Sequence, residues 1–294
     1  MSYELTYEEA IALARSGKRL TLRQTDDINA LGYHYEYARR RSDRDLQKAV
    51  ELYRIAAEHG NNIAEYNLGL CYDDGMGVEE DNEQCLYWWR RAAAHGNDWA
   101  MTNLGRRLFL GIGVEQDKAQ GITLFRKAVC KGDTLAMAHL GEIYFYGDGI
   151  RRNRPLGYRL LMQAAEAGQR MAQYNLSLLY LNGDYVEQDY DKEFYWLQLS
   201  AKQRDHDAEN NLGVCYSLGR GTAIDYDKAL VYYRRAARHM NEEAANNLGV
   251  CYESGEGVPI DLRKALLWYR KAQRWGKMGI EEDIERIKQQ LKNG

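Results

Sequence analysis

The feature that most constrains this chain is a leucine that returns every 36 residues from Leu68 to Leu248. Around it, the segment Asn210–Tyr216 recurs almost letter for letter as Asn246–Tyr252. A fixed period between about 20 and 50 residues indicates stacked structural repeats. Each repeat in such an array rests on its neighbours, so the length prior of about two domains does not apply. The key leucines are Leu31, Leu68, Leu104, Leu140, Leu176, Leu212 and Leu248.

Each repeat is predicted to form a first helix and a second helix. In the second copy, Ala64, Leu68 and Tyr72 lie four residues apart and share one face of the first helix. Gly75 ends that helix, and Asp81 is placed to cap the second. A glycine follows the key leucine in every copy but the fifth, which has Ser177, so a neighbouring helix should approach closely there. The fold class is therefore predicted to be all-α.

The repeats set the expected domain organisation. Residues 1–28 are predicted to form an N-terminal capping helix segment, residues 29–277 the seven repeats, and residues 278–294 a polar C-terminal capping helix. The first copy has Arg39-Arg40-Arg41-Ser42 where the others have a glycine turn. The fifth copy departs most from the pattern, at Ser177, Asp184, Tyr185 and Arg204.

The repeat pattern resembles that of a known family. The residues A-x-x-x-L-G-x-x-Y-x-x-G-x-G-V, followed by D-x-x-K-A-x-x-x-Y and A-A, are similar to the Sel-one-like repeats, relatives of the tetratricopeptide repeats, and Ala244–Ala272 is the clearest copy. The resemblance implies a right-handed superhelix, or solenoid, of antiparallel helix pairs, and adaptor or scaffold work in protein complexes. Secreted members carry a regular pair of cysteines in each repeat, and this chain lacks that pattern.

Charge and cysteine usage narrow the expected setting. A formal net charge of −3 argues against nucleic acid as a partner, because a phosphate-binding surface needs a basic stripe. We find no secretory signal and no window of about 20 apolar residues, so no membrane insertion is predicted. Of the five cysteines, Cys215 and Cys251 occupy equivalent positions, which should lie about 8–10 Å apart, too far for a disulfide. Cys71 and Cys85 are the one pair left open. Buried free thiols and a cytoplasmic location are the expectation.

No catalytic pattern stands out. The chain has no H-E-x-x-H, no C-x-x-C and no phosphate loop ending in G-K-[ST]. His59, His95 and His239 share one repeat position, which suggests either a metal ladder or cations at helix C-termini. Successive copies are too far apart to share one ion, so the second interpretation is favoured. The chain is predicted to be non-enzymatic, with no cofactor and no metal.

The free face of the first helices is the predicted binding surface. Counting from the key leucine at 100° per residue, positions −5, −2, +2 and +5 lie opposite the core. They are mostly apolar or aromatic in repeats two to five and mostly polar or acidic in repeats six and seven. Asparagine recurs beside them at position −1, suited either to hold an extended peptide or to bond the next helix's backbone. The predicted partner-binding residues are Tyr66, Asn67, Trp99, Asn103, Arg106, Phe109, Phe145, Tyr174, Asn175 and Leu178.

Three functions follow as alternatives. The favoured one is a scaffold or adaptor that binds a protein or extended peptide in a concave groove, since large apolar patches usually mark interaction surfaces. A dedicated inhibitor, such as an immunity protein for one cognate toxin, would use the same surface. A hydrolase of β-lactam or cell-wall compounds lacks its expected nucleophile–base pair. The strip could also be buried by the superhelix itself, and the oligomeric state is left open.

Overall fold

All the regular secondary structure of the described residues is helical. The computed structural model describes residues 5–38 and 44–293, and within them it contains sixteen helices and no strand. The chain divides into two compact units, Met1–Arg152 (unit 1) and Asn153–Gly294 (unit 2). The helices are α1 Tyr7–Arg15, α2 Leu22–Tyr37, α3 Leu46–Glu58, α4 Asn62–Asp74, α5 Asn82–Ala94, α6 Asp98–Leu110, α7 Lys118–Cys130, α8 Thr134–Tyr146, α9 Arg154–Glu166, α10 Arg170–Asn182, α11 Tyr190–Lys202, α12 His206–Leu218, α13 Tyr226–Ala237, α14 Glu242–Ser254, α15 Leu262–Trp275 and α16 Glu281–Asn293.

The helix boundaries fall where the sequence predicts them. Asp81 accepts a hydrogen bond from the backbone of Gln84 and so caps α5. Gly75 takes the left-handed conformation, at φ 65°, and ends α4. The all-α prediction is confirmed. The Arg39-Arg40-Arg41-Ser42 segment lies outside the described residues. None of the helices described is both long and apolar enough to cross a membrane.

In five of the seven repeats, the glycine after the key leucine makes room for a ring from the paired helix. A Cβ on Gly213 would stand 2.7 Å from the ring of Tyr233 in α13. A Cβ on Gly249 would stand 2.5 Å from the ring of Tyr269 in α15. Real Cβ atoms do not approach so closely, so the ring fills the space that glycine leaves. The close approach predicted for this position is therefore confirmed, with an aromatic side chain as the element that uses it.

In the fifth repeat, a serine replaces the glycine and a leucine replaces the aromatic ring. Ser177 takes the glycine position and turns its hydroxyl back to the carbonyl oxygen of Tyr174, at 2.6 Å. The residue equivalent to Tyr233 is Leu197, which lacks the reach of an aromatic ring. Ser177 and Leu197 are both buried. The shorter partner explains why a serine side chain fits there.

Each unit has its own core of small and aromatic residues. In unit 1, Ala10 of α1 and Leu52 of α3 belong to one buried cluster, which ties the N-terminal helix to the first repeat. In unit 2, Ile284 and Ile287 of α16 pack with Tyr269, so the last helix covers the end of the seventh repeat. The capping roles of α1 and α16 stay a prediction.

Three residues other than glycine hold the left-handed conformation in unit 2. Tyr185, Arg204 and Met240 have φ values of 89°, 61° and 59°. Arg204 and Met240 occupy the position that Gly60 and Gly96 hold in unit 1. Such a conformation costs free energy when the residue has a Cβ. Unit 2 thus carries side chains at three left-handed positions where most repeats have glycine.

Candidate functional site

The free face of unit 1 exposes one apolar side chain from each of three successive first helices. Ile63 of α4, Trp99 of α6 and Leu135 of α8 all stand at position −5, and 40%, 53% and 37% of their surfaces are exposed. The equivalent residues of α12 and α14 in unit 2 are Asp207 and Glu243. A surface that met only water would be expected to carry polar groups at all five places. The exposed apolar side chains therefore mark this part of unit 1 as a candidate interaction surface.

An aromatic and acidic pocket of 380 Å³ opens beside Trp99. The ring of Tyr66 lies 5.8 Å from the ring of Trp99 and 6.3 Å from that of Trp89, centroid to centroid. Asn103 donates to the Tyr66 hydroxyl at 3.0 Å and fixes its position. Burial raises the pKa of Tyr66, which keeps the phenol neutral. The residues lining this acidic aromatic pocket are Tyr66, Asp98, Trp99, Thr102, Asn103, Gly132, Asp133, Thr134 and Leu135.

Asp98 and Asp133 give this pocket its negative charge. One Asp133 oxygen accepts from the backbone of Ala136 at 2.8 Å, and the other accepts from the Thr102 hydroxyl at 2.9 Å. Asp98 begins α6 next to Trp99. No lysine or arginine of the described chain forms an ion pair with either carboxylate. Two carboxylates without a cationic partner therefore face the same space as two aromatic rings.

A second pocket, of 340 Å³, lies at the other end of α6. Its floor is apolar and includes Phe109 and Phe125, and the ring of His139 stacks on Phe125 at 5.2 Å. Burial and the nearby charge of Arg106 lower the pKa of His139 to about 4, so its imidazole is neutral at physiological pH. Burial also raises the pKa of the Glu142 carboxyl. The pocket therefore offers an apolar floor beside Arg106, which is exposed at its edge.

The prediction that Phe109 and Phe145 face a free groove is wrong. Their surfaces are only 8% and 0% exposed. Both stand at position +5, which ideal helical geometry places opposite the core. In the folded repeat this position instead turns toward the second helix, and the ring of Phe109 lies 6.4 Å from that of Phe125 in α7. A Cβ on Gly121 of α7 would lie 3.0 Å from the Cβ of Phe109, which shows how closely the two helices pack.

Other repeats use position +5 in the same way. The tyrosine of the second helix donates its hydroxyl proton to the +5 side chain, and the length of that bond varies with the acceptor. These pairs are Tyr53 with Glu36 at 2.6 Å, Tyr233 with Ser217 at 3.3 Å and Tyr269 with Glu253 at 2.6 Å. Position +5 thus belongs to helix–helix contacts, and in the second repeat Asp73 at this position pairs with Arg107 of the next first helix. Position −2 is buried at Thr102 and Ala138, so the free face of unit 1 consists mainly of position −5, with Tyr66 and Arg106 beside it.

Four of the five asparagines at position −1 contact the preceding repeat. Asn67 donates to Asn29 at 3.1 Å, and Asn103 donates to Tyr66 at 3.0 Å. In unit 2, Asn211 and Asn247 donate to Tyr174 and Asn210 in the same manner. The acceptor is each time the side chain at position −2 of the preceding first helix. This arrangement differs from the backbone hydrogen bond considered above, and it links the side chains of successive repeats.

The remaining predicted partner-binding residues lie in unit 2. Tyr174, Asn175 and Leu178 are half-buried on α10. They belong to a different compact unit from Tyr66, Trp99 and Arg106. The prediction of a partner-binding surface on α4 and α6 therefore stands on the unit 1 residues alone.

The three histidines of one repeat position have separate contacts. His59 Nδ1 lies 2.9 Å from the carbonyl oxygen of Ile55, and His95 Nδ1 lies 2.8 Å from the buried carboxylate of Glu65. His239 stacks on His206 in unit 2, with ring centroids 3.6 Å apart. In the part of the chain described, no three His, Cys, Asp or Glu side chains form a group that could hold a metal ion.

The cysteines are all free. Cys71, Cys85, Cys215 and Cys251 are buried, as predicted, whereas Cys130 at the end of α7 is exposed. Burial raises the pKa of the Cys71 and Cys85 thiols to about 12. Buried thiols with such pKa values remain protonated near neutral pH and react slowly.

Sequence reasoning missed the acidic members of the site. Asp98 and Asp133 stand at positions −6 and −7, where they read as helix-start residues, and Asp133 does cap α8. Each precedes an exposed position −5 residue in the chain, Trp99 or Leu135. The closeness of these aspartates in the chain to exposed apolar residues was the available signal, because residues of one helical turn lie near each other at the start of the helix.

Comparison with known proteins agrees with this architecture. The family described as Sel1 repeat matches residues 27–61, 62–97, 100–133, 134–169, 170–205, 206–239 and 242–272. A protective antigen of uropathogenic Escherichia coli strains, described as displaying an SLR fold, is 31% identical with a TM-score of 0.74 and covers 97% of this chain. A Sel1 repeat protein from Oxalobacter formigenes is 29% identical with a TM-score of 0.73, over 85% of this chain and 99% of that one.

The lengths of these proteins differ. This chain spans 59% of the Escherichia coli antigen. Chitin synthase regulatory factor 3 of Schizosaccharomyces pombe is 42% identical over 43 residues, which are 15% of this chain and 5% of that protein. The seven matched repeats extend through most of the chain, and they coincide with the helix pairs of the structure. The chain therefore belongs to the Sel1 repeat family.

Proposed function

We propose that this chain is a non-enzymatic scaffold that binds a protein partner on the free face of unit 1. Proteins with Sel1 repeats typically serve as protein-interaction scaffolds. The observation that carries the proposal is the exposure of Ile63, Trp99 and Leu135 at one repeat position in three successive first helices. Removing apolar surface of this kind from water lowers the free energy, so its burial by a partner favours binding.

Two pockets on the same surface could receive side chains of a partner. Trp99 stands at the acidic aromatic pocket at the start of α6, and Phe109 forms the floor of the second pocket at its end. Aromatic side chains commonly carry a large share of the energy of an interface, and Trp99 is the largest exposed one here. Arg106, at the edge of the second pocket, adds a positive charge. A protein or an extended peptide is the ligand class that such a surface suits, and nucleic acid is not.

The free thiols support a reducing compartment. Four of the five cysteines are buried and unpaired in the structure. Disulfides form in oxidising compartments and are rare in the cytosol. We propose a cytoplasmic location as part of the same proposal.

Affinity capture from native lysate tests the binding proposal. The informative variant is Trp99→Ala with Leu135→Ala, because both side chains are exposed and their truncation should leave helicity and melting temperature unchanged. Loss of two anchors at about 2 kcal/mol each would weaken binding by far more than thirtyfold, enough to lose the partner. Nuclease treatment before capture should make no difference.

The matched control lies in unit 2. Glu243→Ala with Val250→Ala changes exposed residues at positions −5 and +2 of α14 and should keep the partner. Equal capture by the parent and the Trp99 variant would contradict the proposal. The identity of the captured protein distinguishes an adaptor, which joins several components, from an inhibitor, which blocks one.

A further inference from the structure

The acidic aromatic pocket specifies the chemistry of the group that enters it. Asp98 and Asp133 bring two negative charges to a space walled by Tyr66 and Trp99, and no lysine or arginine of the described chain pairs with either. The pocket therefore combines a negative potential with the faces of two aromatic rings. A cation with a flat or apolar body satisfies both, and an anion satisfies neither.

We infer that the partner inserts an arginine side chain between Trp99 and the two carboxylates. The guanidinium is planar, so it stacks on an indole while its N–H groups donate to carboxylate oxygens. Each Asp133 oxygen already accepts one hydrogen bond, and each retains acceptor capacity for another. Lysine carries the same charge, but it lacks the plane and should bind less tightly.

The pocket is already shaped before any ligand enters. Tyr66 is held from below by Trp89, whose indole N–H donates to the Tyr66 carbonyl oxygen at 3.3 Å, and from the side by Asn103. Thr102 fixes the orientation of the Asp133 carboxylate. Side chains that do not need to be ordered on binding leave more of the interaction energy for affinity. This inference rests on the proposed binding function and specifies the partner's anchor residue.

Equivalent positions in other repeats show which substitutions should preserve the fold. Asn62 occupies the position of Asp98 in the preceding repeat, and Asn61 and Asn97 cap their helices where Asp133 caps α8. Asp98→Asn with Asp133→Asn therefore removes both charges while keeping a capping residue. The matched control is Asp205→Asn with Glu242→Asn, which removes a cap charge and a helix-start charge in unit 2.

The experiment follows the indole N–H resonance of Trp99 in the full-length protein, assigned with Trp99→Phe. The probe is N-acetyl-arginine methylamide, compared with the citrulline analogue, which keeps the shape and loses the charge, and with the lysine analogue. We expect the arginine probe to shift the Trp99 resonance with millimolar affinity. The citrulline probe and the Asp98→Asn, Asp133→Asn variant should each bind about tenfold more weakly, and the control variant should bind as the parent does.

Two results would overturn the inference. Equal binding of the arginine and citrulline probes would mean that the pocket recognises shape without charge. No shift of Trp99 with the arginine probe would mean that it takes no cation. Either result leaves the proposed function standing if Trp99→Ala with Leu135→Ala still loses the partner in capture, so the failures of the two ideas remain distinguishable.

Discussion

Gly213 shows how a single missing side chain fixes the distance between two helices. A Cβ there would press on the ring of Tyr233, so Gly213→Leu forces the ring or the helix to move. We expect the free energy of unfolding to fall by about 3 kcal/mol or more, because overpacking a full core costs about 1–3 kcal/mol before any backbone shift. Urea denaturation measures this, and a melting temperature within one degree of the parent would contradict it.

A double-mutant cycle isolates the contact with the ring. Tyr233→Leu gives the sixth repeat the partner that the fifth already has in Leu197, opposite Ser177. Gly213→Ser should therefore cost less free energy in the Tyr233→Leu background than in the parent. The expected coupling is on the order of 1 kcal/mol, in the range measured for residues in contact. Purely additive costs would show that the ring does not set the requirement for glycine.

His139 should make stability depend on pH. Its pKa is lowered from 6.5 to about 4 in the folded chain, chiefly by burial and then by Arg106, while Asp133 opposes the shift. As pH falls below about 6.5, the His139 imidazole becomes protonated in the unfolded chain, whereas in the folded chain it stays neutral until about pH 4. The free energy of unfolding therefore falls between these two pH values. At pH 5 this amounts to about 2 kcal/mol relative to pH 7.

The variant His139→Asn provides the control for that effect. Asparagine is the residue that five of the other repeats carry at this position, namely Asn67, Asn103, Asn175, Asn211 and Asn247. Urea denaturation of both proteins at pH 7 and pH 5 should show the parent losing about 2 kcal/mol more than the variant. Equal losses in the two proteins would mean that the ring of His139 titrates normally.

The five cysteines make a separate residue-scale prediction. Burial raises the pKa of Cys71, Cys85 and Cys215 to about 12 and that of Cys251 to about 11, whereas Cys130 is exposed. A thiol reagent at pH 8 should therefore modify one cysteine of the native protein and five after denaturation without reductant. A count of three after denaturation would reveal a disulfide and contradict the cytoplasmic proposal.

At the scale of helices, sequence patterns predicted the elements and their ends well, and the exposure of residues in the last turn poorly. Gly75 and Asp81 set their boundaries through local backbone geometry, which sequence expresses directly. The misplaced residues, Phe109 and Phe145, stand at position +5, where an isolated helix would show them to solvent. Their burial depends on the second helix, and in the third repeat on Gly121, so it is a tertiary effect that a helical projection does not contain.

The candidate site was predictable to a similar extent. Trp99 and Tyr66 were found from their repeat positions, because periodicity determines which way a side chain points. Asp98 and Asp133 were not, since their first-turn positions already had a structural explanation as helix-start residues. The hydrogen bond from Asn103 to Tyr66 joins two repeats and likewise needs the packed structure to be seen.

At the scale of the whole molecule, seven similar repeats carry dissimilar surfaces. The division into two units falls inside the fourth repeat. The 36-residue period has no break there, so the sequence pattern does not predict this division. Unit 1 exposes Trp99 and Leu135 at position −5, whereas unit 2 has Asp207 and Glu243 in α12 and α14. A partner that binds unit 1 should therefore ignore the equivalent positions of those two helices.

Site-specific photo-crosslinking tests that claim most directly. A benzophenone amino acid is placed at position 99 of α6 in one protein and at position 250 of α14 in another, and both are irradiated in native lysate. We predict a protein adduct from position 99, lost when Leu135→Ala is added, and none from position 250. An adduct of the same partner from position 250, or from both positions with equal yield, would contradict the account.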